Sequence, residues 1–230
     1  GLKNTAIFIG GSNVAAGEVL LEKVQSLFFG PVRVSILIDS NGSNTTAAAA
    51  VLAAGKHVDL SRITALLLGG TGPVGQRAAQ ILTSLGATVR IGTRSAAKAE
   101  VTCEAVRSKV EGAHIWPCET GTVDGLAAAA DSVEVIIATG AAGIQLLSAE
   151  QRSRIGSLKV AIDLNAVPPV GIEGVEVFDK AVEQDGVFCY GAIGVGVTKM
   201  KIHKAAVKKL FTVNDLLLDT AAVFEIGQNQ

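Results

Sequence analysis

The chain has 230 residues, 49% of them apolar, 18% charged and 4% aromatic, with 26 glycines, three cysteines and a net charge of -1. That balance suits a core-rich chain of one or two domains and supplies no basic field for nucleic acid or an anionic membrane. No apolar run reaches the length of about eighteen residues that a membrane span needs, and Thr5–Ile9 is too short for the apolar centre of a secretory signal. Cys103, Cys118 and Cys189 are odd in number and lack C-x-x-C spacing, so they read as packing residues without a disulfide or metal, in a cytoplasmic protein.

In chain order, Thr5–Ile9 predicts a first strand, Val14–Leu27 an amphipathic helix, Val32–Ile38 a second strand and the alanine-rich Thr45–Ala54 a second helix. From about Asp59, apolar runs at Ile63–Leu68, Ala87–Ile91, Val133–Ala138 and Val160–Ile162 predict successive strands, with a helical stripe over Ala78–Leu85. A last strand, Gly186–Tyr190, leads into a glycine loop, and two helices are expected over Thr198–Leu210 and Val213–Ile226. Ala47–Ala50 and Ala127–Ala130 read as helix formers, and no solenoid repeat is present. The expected fold class is α/β. A Rossmann-type doubly wound parallel sheet covers residues 59–197, beside a smaller α/β substrate lobe of residues 1–58 completed by the C-terminal helices of residues 198–230. The chain opens almost directly on a strand without an initiator methionine, so this lobe is expected to lack an N-terminal segment.

The run Ala65-Leu66-Leu67-Leu68-Gly69-Gly70-Thr71-Gly72-Pro73-Val74-Gly75 reads as a buried strand, a glycine turn and a helix start in immediate succession. Gly70, Gly72 and Gly75 satisfy G-x-G-x-x-G, in which one glycine makes the turn, one lets backbone approach phosphate and one lets helix pack on strand. Exposed amides and the positive helix end then hold a pyrophosphate. The ribose is met about twenty residues later, where the chain reads Gly92-Thr93-Arg94-Ser95 with Lys98 one turn on. Hydroxyls and a guanidinium in place of a carboxylate suit a 2′-phosphate, so NADP is favoured with NAD possible. Arg94 and Lys98 also fit a plain solvated helix start.

Three more segments are placed for chemistry. Asp39-Ser40-Asn41-Gly42-Ser43-Asn44-Thr45-Thr46 follows a strand, so its polar groups face the carboxyl end of the sheet, where open α/β sheets bind ligands. A turn with Asn44 or Thr45 as helix cap is the alternative. Thr139-Gly140-Ala141 and the loop containing Asn165 close two strands and are expected beside the ribose and nicotinamide, where small residues let a flat ring approach backbone. The third segment, Tyr190–Lys204, carries Gly191 and Ile193 on the cofactor side. In it Lys199, expected at a helix start that disfavours a cation, reads as a residue kept for use. Lys201, Lys204, Lys208 and Lys209 read as a solvated face.

Together, Phe28-Phe29-Gly30-Pro31, the Asp39–Ala49 string, Gly70-Thr71-Gly72-Pro73-Val74-Gly75 and Gly194-Val195-Gly196-Val197-Thr198-Lys199-Met200-Lys201-Ile202-His203 resemble the NADP-dependent methylenetetrahydromethanopterin dehydrogenases of one-carbon metabolism. The resemblance runs from about Thr5 to Phe211 and is most specific in the Asp39–Thr46 string. It implies that Lys199 is catalytic and that Thr45 contacts substrate in a pterin cleft, with Asp39, Asn41, Ser43 and Asn44 as further substrate-binding residues. It implies cofactor contacts from Thr71, Gly72, Pro73, Val74, Arg94 and Lys98, to which Gly70, Thr93 and Ser95 are added from the motif. Ser95 stands where the family commonly has a basic residue. The resemblance also implies a homo-oligomer, commonly a trimer, and an N-terminal segment ahead of Gly1 that contributes to the pterin lobe. The expected reaction moves a hydride from the methylene bridge of a reduced pterin to NADP, without a general base. A methylenetetrahydrofolate dehydrogenase, a shikimate-dehydrogenase-like enzyme and a catalytically silent NADP-binding subunit are the alternatives.

Overall fold

The computed structural model describes residues 1–230 and contains a parallel sheet and a mostly parallel one joined by one core of side chains. The smaller sheet has the order β1-β2-β10, from β1 (Ala6–Ile9), β2 (Ser35–Ile38) and β10 (Leu217–Leu218), all parallel. Helix α1 (Val14–Ser26) connects its first two strands, and Asn13 caps that helix by accepting from the Ala16 amide. A 3-10 turn at Ser40–Gly42 then leads into α2 (Ser43–Ala54).

The larger sheet is built from β3 (Thr64–Leu68), β4 (Thr88–Thr93), β5 (Ile115–Glu119), β6 (Val135–Ala138), β7 (Val160–Asp163), β8 (Lys180–Gln184) and β9 (Val187–Tyr190), in the order β5-β4-β3-β6-β7-β9-β8. All pairs are parallel except β8 with β9, a hairpin that adds an exposed edge strand. The sequence direction reverses between β3 and β6, the position at which a doubly wound sheet opens a crevice at its carboxyl edge. Helices α3 (Pro73–Ser84), α4 (Ala96–Arg107) and α5 (Val123–Ala130) cover the sheet faces, with a short α6 (Ala149–Ser153) further on. β6 and β7 are buried along their whole length, which is why they read as unbroken apolar runs instead of alternating ones.

Helix α2 is the central packing element. Ala47, Ala48, Ala49, Ala50 and Ala54 have no exposed surface, because α2 is covered by α3, α7 (Ala192–Lys209) and α8 (Thr220–Gln228). Side chains of one methyl group let those helices come close on several sides, and the resulting core runs from Leu37 of β2 through α2 to Leu67 of β3, Ile202 of α7 and Val223 of α8. No helix is long and apolar enough to cross a membrane.

Two expected elements differ from those observed. Helix α7 begins at Ala192 and includes the glycines expected to form a loop, because Gly191 and Gly194 fit against carbonyls of residues 176–179, where a Cβ would lie 2.0 Å from Glu176 O and 1.8 Å from Asp179 O. The expected last helix over Val213–Ile226 is split, since Leu217–Leu218 pair with Ile36–Leu37 before α8 starts at Thr220. β5 and the edge strand β8 add to the elements expected from the apolar runs.

One ion pair ties the first unit to the larger sheet's helices. Arg77 of α3, buried to 8% exposure, reaches Glu18 of α1, and Lys109 approaches the same carboxylate at 3.7 Å. Burial alone would push the Glu18 carboxyl up, but Arg77 and Lys109 outweigh it and hold the group below its ordinary value. Its contribution to folding is therefore present above the ordinary carboxylate range and lost as pH falls through the lowered value. Glu18→Gln is expected to lower unfolding free energy by about 1 kcal/mol at neutral pH, a figure discounted for the half-exposed carboxylate. In urea melts across pH, the gap between variant and wild type should close in acid.

Candidate active site

The first half of the site forms where β2 turns into α2. Asp39 ends β2 with 4% exposure and its Oδ1 accepts the amides of Asn44 at 2.9 Å and Thr45 at 3.1 Å, while its Oδ2 accepts the Thr45 hydroxyl at 2.7 Å. Helix α2 is not capped by Asn44 or Thr45, the alternative to a ligand-facing string. It starts earlier, at Ser43, with Gly42 in the left-handed conformation as N-cap, so Asp39 supplies the acceptor that a cap side chain would. Asn41 also has a positive φ of 56°, is exposed, and donates its amide to Gly11 O at 2.6 Å. Ser43 donates to Ser40 O at 2.8 Å, and Asn44 donates to Ile38 O and accepts from Thr220. Both side chains are thus engaged inside the fold.

Helix α7 supplies the other side. Lys199 lies against Gly42 so closely that a Cβ there would stand 2.6 Å from Nζ and 4.0 Å from Thr45 Oγ1. No carboxylate pairs with this ammonium. Its position differs from the expected helix start, since two turns of α7 precede it and the opposing helix dipole is no longer the reason to single it out. One turn later His203 Nδ1 stands 3.8 Å from Asp39 Oδ2, and its ring meets Phe8 of β1 edge to face at 5.8 Å. Neither Phe8 nor His203 was among the residues expected to act. His203 was legible only as the end of the Lys199–His203 string.

The second half lies at the carboxyl ends of β3, β4 and β6, around a groove of about 570 Å³. Gly69, Thr71, Gly72, Thr93, Arg94, Thr139, Gly140 and Ala141 line it, joined by Thr120 and Gly121, which sequence reasoning missed. The turn falls on Gly69, with φ +66°, and not on Gly70 as expected, and a Cβ on Gly69 would stand 2.5 Å from Gly140 Cα. Gly70 sits over Leu67, and a Cβ on Gly75 would lie 2.5 Å from Gly70 O, so helix and strand pack as closely as the motif requires. Gly72, before Pro73 at the first position of α3, faces nothing nearer than Thr139 O at 3.9 Å. The amides of Thr71, Gly72, Val74 and Gly75 have no acceptor within the protein. Four free donors at a helix N-terminus make an anion cradle.

At the outer end of the groove Arg94 is exposed and free of any carboxylate, and Lys98 is likewise exposed one turn into α4. The Ser95 side chain caps α4 by accepting the Lys98 amide, so it serves the helix start. Asn165 bridges its own loop, donating to Pro169 O at 3.1 Å and accepting from the Val167 amide at 3.0 Å. Asp163 beside it accepts the amides of Asn165 and Ile172, and burial pushes its carboxyl up. Gly191 is buried, donates to Asp179 O at 2.9 Å and accepts from the Val195 amide, whereas Ile193 is exposed. None of Ser95, Lys98, Asn165, Gly191 or Ile193 lines the groove itself.

A family model described as methylene-tetrahydromethanopterin dehydrogenase, N-terminal, matches residues 1–41. Over 230 residues the chain is 38% identical to the bifunctional protein MdtA of Methylorubrum extorquens, covering 98% of this chain and 79% of that protein. It is 30% identical to the NAD(P)-dependent methylenetetrahydromethanopterin dehydrogenase of the same organism, over 97% of this chain and 78% of that one. The chain belongs to the methylenetetrahydromethanopterin dehydrogenase family. As a member of this dehydrogenase family it is an oxidoreductase. Among solved structures, a transhydrogenase from Sinorhizobium meliloti shares 17% identity at a TM-score of 0.54, over 80% of this chain and 53% of that chain, a likeness of fold alone.

In this dehydrogenase-family chain Asp39 is the group whose loss disturbs most neighbours at once. Asp39→Asn exchanges a charged acceptor of three hydrogen bonds for a neutral amide, and is expected to cost about 2 kcal/mol of stability. A urea melt measures it; an unchanged midpoint would show that the first turn of α2 does not depend on the carboxylate.

Proposed function

We propose that this chain oxidises methylenetetrahydromethanopterin by transferring a hydride to NADP, giving methenyltetrahydromethanopterin, in cytoplasmic one-carbon metabolism. The observation that carries the reading is the pairing of an anion cradle of free amides at Thr71–Gly75 with an unpaired ammonium, Lys199, held over Gly42 and Thr45 at the end of β2. The residues fit a dinucleotide. Thr71, Gly72 and Val74, with Gly70 and Pro73 shaping the turn, would hold the pyrophosphate. Thr93, Arg94, Ser95 and Lys98 would meet the 2′-phosphate. Thr139, Gly140 and Ala141 would face the ribose and nicotinamide, with the Asn165 loop and the α7 start at Gly191 and Ile193 completing that end. When bound, NADP supplies the carbon that accepts the hydride.

Hydride leaves the methylene carbon of the substrate with its electron pair, and the two flanking nitrogens share the resulting positive charge. No proton departs, so the chain needs no general base. Its task is placement: reacting carbons must come within about 3 to 3.5 Å in a near-attack geometry. Lys199 is assigned to orient the pterin by donating hydrogen bonds, with Thr45 beside it and Asn41 at the exposed rim. Asp39, with Ser43 and Asn44, keeps the first turn of α2 in place. The proposal extends to a homo-oligomer, in the form of a trimer, supported by the exposed Leu27, Phe29 and Val32 of the first unit.

Absorbance at the reduced-nicotinamide band, followed with methylenetetrahydromethanopterin and with methylenetetrahydrofolate, tests the reading; reduction of NADP by neither compound would overturn it. Lys199→Ala is expected to lower turnover by about a hundredfold or more while NADP affinity changes little. Arg94→Ala should weaken NADP binding by roughly tenfold, the loss of a charge-assisted phosphate contact, and leave NAD binding unchanged in titration calorimetry.

A further inference from the structure

We propose that His203 is a positioning residue of the substrate slot, acting on Asp39 and Phe8, a role that rests on the function proposed above. The imidazole has two distinct neighbours. Its Nδ1 faces Asp39 Oδ2 at 3.8 Å, beyond hydrogen-bond length and within the range of a strong charge contact. Its ring holds Phe8 edge to face. Phe8 is 53% exposed, although the strand residue after it, Ile9, is buried on the opposite face of the small sheet. An aromatic ring half open to solvent, held by a residue one turn from Lys199, is a surface on which a flat bicyclic ring can lie.

The groups that face the imidazole are few. Asp39 comes from the end of β2 and is the one carboxylate within 4 Å; β1 contributes the uncharged Phe8; on α7 itself Lys199 lies one turn before, and Lys204 is exposed to solvent. Asp39 therefore faces His203 directly, while Lys199 meets Gly42 one turn earlier on the same helix. Oδ2 also accepts the Thr45 hydroxyl, so any movement of the carboxylate toward His203 is passed to Thr45 and to the amides of Asn44 and Thr45. The imidazole thereby limits where the Asp39 carboxylate can sit and, through it, where the Thr45 hydroxyl is held.

Two variants separate the two contacts. His203→Phe keeps a ring against Phe8 and removes the donor, while His203→Asn keeps a donor near the Nδ1 position and removes the ring. His203→Phe is expected to lower kcat about fivefold or more with a KM for the pterin near that of the wild type; His203→Asn should raise that KM by a similar factor and hold kcat. NADP affinity and thermal midpoint should change little in either. A fall of both constants together with the melting temperature would mark a merely structural role and overturn the proposal, as would wild-type constants in both variants. A second readout needs no turnover. The Asn44 and Thr45 amide resonances of the wild-type protein should be displaced in His203→Phe, which loses the group facing Asp39, and stay near their wild-type positions in His203→Asn. Resonances that are displaced equally in both variants, or in neither, overturn the role of His203 even where the pterin activity holds. If the pterin activity fails, the amide shifts still decide whether His203 governs Asp39.

Discussion

The Asp39 carboxylate is the group on which the substrate side of this molecule hangs. A helix beginning directly after a strand leaves orphan amides at its first turn, and the N-cap of α2 is a glycine with no side chain to meet them. A buried carboxylate without partners is costly to keep from water. Each problem answers the other: Oδ1 takes the amides of Asn44 and Thr45, and Oδ2 takes the Thr45 hydroxyl. Because Asn44 also accepts from Thr220, the same turn fixes the start of α8. A charge at the end of one strand thereby sets the position of the helix around which the core is built.

The two sides of the cleft are built on opposite terms. On the Gly69–Gly75 side the groups are main-chain donors with no internal acceptor, beside Gly69, Gly70 and Gly75, whose packing tolerates no side chain. They favour an anion and present no charge of their own until Arg94 at the far end of the groove. Around the β2–α2 turn the groups are an ammonium, a carboxylate and two rings, with Lys199 and His203 one turn apart on α7. Under the function proposed, such an arrangement suits a polar heterocycle by its edge and its face.

The strands and the dinucleotide motif were legible because their signals are local. Val133–Ala138 and Ile63–Leu68 are apolar runs of strand length, and Gly75 must be glycine because Gly70 O occupies the space of its side chain. What the sequence concealed depends on distant contacts. The two-residue strand Leu217–Leu218 exists only because β2 is there to pair with it. Gly191–Gly196 read as a loop, since glycine disfavours a helix interior, until carbonyls of residues 176–179 demand its absence of bulk. In the same way the polar string Asp39–Thr46 was plainly unusual, yet nothing local told which side chains serve the helix start and which face the cleft. Ser43 and Asn44 turn inward to Ser40, Ile38 and Thr220, and only the tertiary partners reveal it.

Helix α7 connects these halves and gives their separation a mechanical origin. Its N-terminus is locked to the coenzyme unit, where Gly191 and Gly194 allow contact with the carbonyls of residues 176–179. Two turns later Lys199 meets Gly42, and a turn beyond that His203 meets Asp39. A helix rises about 1.5 Å per residue and resists compression through its hydrogen bonds. The distance from residues 176–179 to the Lys199 ammonium, proposed to orient the substrate, is therefore set by a rigid rod instead of a loop. For a reaction in which no proton moves and approach of two carbons is the whole requirement, a fixed spacing between the two binding surfaces is the main thing the fold has to contribute.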